Sequence, residues 1–596
     1  MKLIFYDFEV LKNDWLVSFY KEDTNQWYTF RNNRDGLCGF VLQHKSTYYF
    51  VGFNNKAFDD QCLKAIWYNI NPYRVIEHSI IDNKPYWTLP EFQYKRNIPN
   101  FVSIDLMKLP GMQALSLKEI EGNLGLAIME TNLLEKDQLN EEEYKKVLEY
   151  NKHDVLATYE LYKQIREQIE CKEELINEFK LPKSCFNDTY VAIARKILNA
   201  KIIKQEESFI YTKPSCINLE HKDIERIYNG VEFKLDTNVK VEKQINGLDI
   251  TFGIGGVHGT KDNFSYKYEN DNILVMLDIE SMYPNEMHNK KNKEFCFLSR
   301  GVSDPNLFAT MKEKRLEYKH NGNKKKSDAY KVIINGQYGA SIFFLKNKEP
   351  APLTDWVNGR KVCITGQLSI IMLLEVCNRI NGFKAFNLNT DGIYAILPRT
   401  SLNELKTSIN EWENKLGFNL EVKILNKPIV IQKDVNNYII YDKETEFIKC
   451  KGGNINIWDG GDYSANSSSI IDEAIVKYFV YNKPINETLQ EAYDKNEVIK
   501  FQMIFNRKGK NYINTYHGEN IVQKVNRIFP SIDKTLSPLT KMKNGTKCLF
   551  PLCPKHCSIH NESVNKINLK DINLDLTYYF NIIINKIEQW KGVENV

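Results

Sequence analysis

Residues 272–284, Asn-Ile-Leu-Val-Met-Leu-Asp-Ile-Glu-Ser-Met-Tyr-Pro, form an apolar strand that ends on a carboxylate, Asp278. An ionised group at the end of a buried strand is costly unless a cation or hydrogen bonds compensate it. Tyr283-Pro284 follows, and the proline ends the strand and fixes the chain direction. A second pair of apolar runs, "FKAF" and "IYAIL", brackets Asn389-Thr390-Asp391-Gly392, again with one carboxylate between short strands. The constraint on the fold is therefore to bring Asp278 and Asp391 to a common partner.

At 596 residues the chain is too long for one hydrophobic core, so about two to four domains are expected. With 42% hydrophobic and 26% charged residues it is globular rather than disordered. The net charge is only +4, so a nucleic-acid role must rest on local basic patches. The 12 cysteines are scattered, which points to reduced thiols and not to a disulfide framework. "MKLIFYDFEV" reaches acidic residues at once and reads as a strand, not a signal peptide. The best apolar run, "LSIIMLLEVCNRI", is too short and too charged to span a bilayer. The expectation is a soluble cytoplasmic protein with no membrane partner.

In the first third, Asp7 and Glu9 sit two apart on a strand and share a face. "YYFVGFNNKAFDDQCL" reads as strand, turn and helix, bringing Asp59 and Asp60 to the junction, with Asp60 expected to cap or solvate the helix. Tyr150 and Asp154 lie four apart on one face of a helix, and His153 is out of phase with them. Carboxylates from a strand, a junction and a helix suit a pair of hard divalent cations, which orient a water for phosphodiester hydrolysis.

Between Asp278 and Asp391 lies a helical pair that turns at "NGN". Arg315 and Lys319 share a face of the first helix, Lys331 and Asn335 one of the second. Cations presented toward paired carboxylates suit an incoming triphosphate, because they neutralise charge as pyrophosphate leaves.

In order, "DFE", Asn54-x-x-x-Phe58-Asp59 and Tyr150-x-x-x-Asp154 resemble the three motifs of DEDD-type 3′→5′ exonucleases, in the tyrosine subclass. Asp278-Ile-Glu-Ser-Met-Tyr-Pro, Lys331-x-x-x-Asn335-Gly-x-Tyr338-Gly339 and Asn389-Thr-Asp391-Gly then resemble motifs A, B and C of family B DNA polymerases. The compact form is most similar to polymerases of small tailed phages. The resemblance implies an α/β and α+β multidomain chain: an RNase H-like exonuclease domain followed by right-hand palm, fingers and thumb. The expected boundaries are exonuclease 1–170, a connecting region 171–250, palm 251–303 and 346–453, fingers 304–345, and thumb with C-terminal region 454–596.

It also implies two Mg²⁺ or Mn²⁺ ions per active site. Asp278, Asp391 and the Ile279 carbonyl would hold one pair, and Asp7, Glu9, Asp59 and Asp154 the other. Tyr150 would hold the attacking water, and Asn54 would touch the strand being degraded. Arg315, Lys319, Lys331 and Asn335 would meet the dNTP, with Tyr338 under the nascent base pair and Tyr283 as gate against a ribose 2′-hydroxyl. The implied partners are primer–template DNA, single-stranded DNA and dNTPs, and the implied task is phage genome replication in a host bacterial cytoplasm. Replisome proteins such as a clamp, a single-strand-binding protein or a primase are left open. The alternatives are a 3′→5′ exonuclease whose polymerase region is only a DNA-binding module, and a non-catalytic replication scaffold.

The chain departs from the family pattern at several positions. Asn389 replaces the first motif C aspartate and Gly336 the usual motif B serine, and Gly253 stands where an aromatic residue is usual before Gly255-Gly256. Those glycines let backbone approach a template strand. Tyr438 and Lys451 stand where a primer-binding Lys-x-Tyr motif is expected. In the last quarter, Arg507, Lys508, Lys510, Lys524 and Arg527 on a basic, aromatic hairpin are expected to grip duplex phosphates, the task of a thumb. Cys548, Cys553, Cys557 and His560 lack standard zinc spacing, so buried thiols are expected there instead.

Overall fold

The computed structural model describes residues 1–591 except 113, 346, 453–463, 465 and 510. The expected DNA contact Lys510 lies outside the described residues. The chain is mixed α/β and divides into two compact units. One holds Met1–Thr189 together with Asn486–Asn581, and the other runs from Tyr190 through the middle of the chain.

The N-terminal part of the first unit is a five-stranded sheet of β1 (Leu3–Val10), β2 (Trp15–Lys21), β3 (Gln26–Arg31), β4 (Tyr49–Gly52) and β5 (Ser103–Asp105). The strand order is β3-β2-β1-β4-β5. The first three strands pair antiparallel, and β4 and β5 run parallel to β1. Alternation along β1 sends Tyr6 and Phe8 into an aromatic core with Phe19, Phe40 and Phe50, and leaves Asp7 and Glu9 on the opposite face. Helix α1 (Asp59–Trp67) follows β4, and α2 (Leu117–Asn123) and α3 (Glu141–Glu178) complete this part. Ser116 and Asn140 close capping boxes with Glu119 and Glu143, which fixes the starts of α2 and α3. Helix α3 runs on through the boundary expected near residue 170.

The second unit is built on a seven-stranded antiparallel sheet. Its strands in chain order are β6 (Lys240–Ile245), β7 (Leu248–Gly253), β8 (Gly256–Thr260), β9 (Asn272–Ile279), β10 (Lys384–Leu388), β11 (Gly392–Pro398) and β12 (Leu420–Leu425). Strand β9 lies between β12 and β11, so Asp278 pairs directly with Gly392. Helix α4 (Pro305–His320) and helix α5 (Lys324–Ser341) form the expected hairpin. Helix α6 (Trp356–Asn378) is 23 residues long, well beyond the apolar run read from the sequence, and has mean hydropathy 1.3 in its most apolar window. It is long and apolar enough to cross a membrane, but 83% of that window is buried in the core on this sheet, which accounts for its composition.

The last strands of this unit, β13 (Pro428–Asp434), β14 (Asn437–Asp442) and β15 (Ile448–Lys451), form a further sheet. Strands β16 (Met503–Asn506), β17 (Tyr512–His517), β18 (Val525–Pro530), β19 (Leu539–Lys543) and β20 (Thr546–Leu549) belong to the first unit. The described part of the expected thumb is therefore divided between the two units.

Candidate active sites

Asp7, Glu9 and Asp154 each place a carboxylate oxygen within 4.8 Å of the others. Asp59 joins them through β1, where the Phe8 N–H donates to its Oδ1 at 2.8 Å. Asn151, one turn before Asp154 on α3, donates to the Asp7 carboxylate at 3.0 Å. Burial, reinforced by the neighbouring acids, raises every member of the set: Glu9 and Asp59 to about 8, Asp154 to about 7, and Asp7 well above its usual range. Buried oxygens of like charge with no apolar way out are the donor set that a hard divalent cation takes.

Tyr150 projects beside the cluster, its hydroxyl pushed up by burial and by Asp154. His153 turns away to the Ala127 carbonyl at 2.8 Å, as its phase on the helix requires. Asn54 is exposed at φ 61, its N–H donating to Asp105 Oδ1 at 2.8 Å. Asp60 corrects the sequence reading. It is buried, accepts from Tyr6 and from Ser103 (2.6 Å), and pairs with Lys56 at 2.8 Å, so it is part of the core and not a solvated cap.

One residue of this site escaped the sequence reading. Lys118, on the first turn of α2, pairs with Asp154 and with Glu121, and its ammonium lies 4.4 Å from the centre of the Tyr150 ring. No spacing in the sequence marks it, because the contact depends on how α2 packs on α3.

The raised carboxyls predict a pH signature. The folded, metal-free protein binds more protons than the unfolded chain between about pH 4 and pH 8, so these groups contribute stability at low pH and lose it as pH rises. Thermal melts in EDTA should show the transition of this unit falling from pH 5.5 to pH 8. Mn²⁺ should restore it at pH 8 far more than at pH 5.5. Asp7→Ala with Glu9→Ala should flatten both effects, and an identical pH profile in that variant contradicts the assignment.

In the second unit, a cleft of about 700 Å³ gathers Asp278, Asp391, Tyr283, Arg315, Lys319, Lys331, Asn335 and Lys449. The Ile279 N–H donates to the Asp391 carbonyl at 2.7 Å, which holds the two motif strands in register. A Cβ on Gly392 would lie 2.3 Å from Asp278 Oδ1, so glycine there is what lets the two carboxylates approach. Desolvation raises Asp278, while nearby Lys449 pulls it back. Asn389 does not face the cation side: its Nδ2 donates to Asn387 Oδ1 at 2.8 Å, and its N–H to the Gly392 carbonyl closes the turn.

Arg315, Lys319, Lys331 and Asn335 of the helical hairpin line this cleft. Arg315 donates to Ser281, itself held at φ 53, and Lys319 bonds Glu280 and Glu421. Lys331 and Asn335 are exposed along the same cleft. Tyr283 and Tyr338 pack ring to ring at 4.3 Å.

The glycine loop is tied to its neighbours. Gln367 on α6 donates to the Gly253 carbonyl at 2.9 Å, and the Tyr283 hydroxyl reaches the Gly255 carbonyl at 3.5 Å. Gly255 is exposed, but Gly256 is buried with its Cβ position 2.5 Å from Thr390 Oγ1. Gly256 therefore serves close packing rather than contact with a strand of DNA.

Two further expectations fail. Tyr438 is 1% exposed and packs edge-on against Tyr394, so it offers no surface to a primer. The lysine that lines the cleft with the two carboxylates is Lys449, which donates to the Tyr394 hydroxyl at 2.6 Å, two residues before Lys451 on the same face of β15. Arg527 is 0% exposed in β18 and is consumed by Gln502 and by the carbonyls of Gly122 and Leu126. It is a core residue, while Arg507, Lys508 and Lys524 line a surface cleft. Cys553 and Cys557 are neighbours in a small core, while Cys548 faces the Thr546 carbonyl and His560 faces Glu562.

No protein-family model matches the chain, and no curated protein sequence does. A solved structure of the family B DNA polymerase from the hyperthermophilic archaeon Pyrobaculum calidifontis is similar to it over 100% of this chain and 78% of that one. The identity is 12% and the TM-score 0.43.

Proposed function

We propose that this chain is a DNA-directed DNA polymerase of the family B type carrying a 3′→5′ exonuclease of the tyrosine subclass, and that it replicates a phage genome in a bacterial cytoplasm. The observation that carries the reading is the cleft in which Asp278 and Asp391 face the cations of the α4–α5 hairpin.

Asp278 and Asp391, with the Ile279 carbonyl, would hold two Mg²⁺ ions in the polymerase site, and Asp7, Glu9, Asp59 and Asp154 two in the nuclease site. Bound there, the ions supply charge stabilisation for in-line phosphoryl transfer. Arg315, Lys319 and Lys331 bind the triphosphate, Lys319 exchanging its carboxylate partners Glu280 and Glu421 for phosphate oxygens. Asn335 positions the nucleotide. Lys449 and Lys451 bind the primer end. Tyr338 lies under the new base pair, and Tyr283, held against it, excludes a 2′-hydroxyl. In the nuclease site Lys118 offsets part of the burial that raises Asp154, Tyr150 orients the water, and Asn54 touches the outgoing strand.

The Tyr283 role predicts that Tyr283→Ala raises rNTP relative to dNTP incorporation by about tenfold or more, a shift of about 1.4 kcal/mol in relative barrier. Single-turnover rates with matched rNTP and dNTP measure it. An unchanged ratio removes the gate, and a core role for the ring predicts a lowered melting temperature instead. The function itself is tested by incubating the protein with primed template, Mg²⁺ and the next dNTP. A primer one nucleotide longer is expected. Degradation without any addition favours the nuclease reading with a binding-only palm.

A further inference from the structure

The first unit carries a basic surface that neither catalytic site uses. A cleft of about 390 Å³ is lined by Asn506, Arg507, Lys508, Gly509, Tyr512 and Lys524. Lys541 on the neighbouring strand β19 sits over the Tyr512 ring at 3.9 Å, with Lys543 at 5.6 Å. Five cations thus surround one tyrosine. The nearby carboxylates are already engaged: Glu130 accepts from the backbone N–H groups of Lys524 and Val525, and Glu119 from Lys508 and Asn466. The surface therefore keeps a positive excess.

Its position gives it a purpose. Lys508 donates to the Ala114 carbonyl at 2.9 Å and Asn506 to Ser116 Oγ at 3.3 Å, which bolts the cleft to the start of α2. Two residues past Ser116, Lys118 holds Asp154 of the nuclease carboxylates. The cleft and that site are therefore both tied to the start of one helix. Cations grouped with an aromatic ring can hold the phosphates and a stacked base of a single strand without sequence preference. A small cleft of about 390 Å³ tied to the same helix start as buried carboxylates suits an unpaired strand and not a duplex.

We propose that the Tyr512 cleft binds the backbone of single-stranded DNA whose 3′ end lies at the Asp7–Glu9–Asp59–Asp154 carboxylates. It is a single-strand guide for the nuclease, not the duplex grip expected of a thumb. The location of the 3′ end rests on the nuclease reading above, whereas the binding itself does not.

The test uses the full chain with Lys524→Glu and Lys543→Glu combined. Both side chains are exposed, and Lys543→Glu alone serves if the pair melts early. Affinity for a fluorescent twelve-nucleotide oligothymidylate and for a duplex of equal length is measured in EDTA across a salt series. The strand affinity should fall about tenfold at low salt, at least fivefold more than the duplex affinity. The log–log salt slope should shrink by about 0.7 per lost phosphate contact. Degradation at subsaturating strand in Mg²⁺ should slow by the same factor. Unchanged strand affinity, or a loss as large for duplex as for strand, overturns the proposal. Hydrolysis is not needed for binding in EDTA, so a wild-type protein that binds the strand but degrades nothing counts against the nuclease reading alone.

Discussion

Asp391→Asn is expected to lower nucleotide incorporation by on the order of 10³-fold, about 4 kcal/mol of transition-state stabilisation. The side chain is exposed at the turn between β10 and β11, so the fold should survive and the loss should be one of anionic ligation. Asn389→Ala should cost far less. It removes one hydrogen bond, to Asn387 Oδ1, worth about 1 kcal/mol of local stability. A carboxylate introduced by Asn389→Asp is not neutral in this chain. Asn387 is fixed by its own donation to Gln432 and to the Val435 carbonyl, so a carboxylate at 389 would face an acceptor. Rates at saturating Mg²⁺ measure all three. Comparable losses for Asp391→Asn and Asn389→Ala contradict Asp391 as the sole motif C ligand.

Asp7→Ala with Glu9→Ala should abolish single-strand degradation, again by on the order of 10³-fold or more, and leave dNTP incorporation largely intact. Removing two members of a buried like-charge cluster relieves repulsion, so the metal-free variant should melt no lower than wild type at pH 8. Asp278→Ala should do the reverse, ending incorporation and sparing degradation. The two ligand sets belong to different compact units, which is why the activities should separate. A variant that still folds and loses both activities contradicts the two-site account.

What the sequence made legible was local. Asp278 and Asp391 sit at strand ends, and their pairing follows once β9 and β11 are neighbours. Asp7 and Glu9 share a strand face by alternation alone, and Tyr150 and Asp154 share a helix face by period. The basic hairpin of α4 and α5 was legible because its turn and its charges are both written in sequence. Residues whose role depends on packing were not. Lys118 pairs with an acid on another element, and Lys449 lines a cleft with two. Arg527 looks like a surface cation in a basic stretch, yet β18 is the middle strand of its sheet, and every residue from Val525 to Pro530 is buried. Tyr438 was misread for the same reason: its aromatic ring marks the core of a second sheet on the far side of β11. Asp60, one residue beyond Asp59, was misread as a cap because two of its three partners, Tyr6 and Ser103, come from distant segments.

A chain that both removes and adds nucleotides at a primer end should repair a mismatched primer before extending it. The wild-type protein is given primed template with one 3′-terminal mismatch, Mg²⁺ and all four dNTPs, and product lengths are followed in time. The account predicts a primer first shortened past the mismatch and then extended along the template, with a phosphorothioate at the terminal linkage delaying both. A primer that is only shortened, with no product longer than the starting strand at any dNTP concentration, would contradict it.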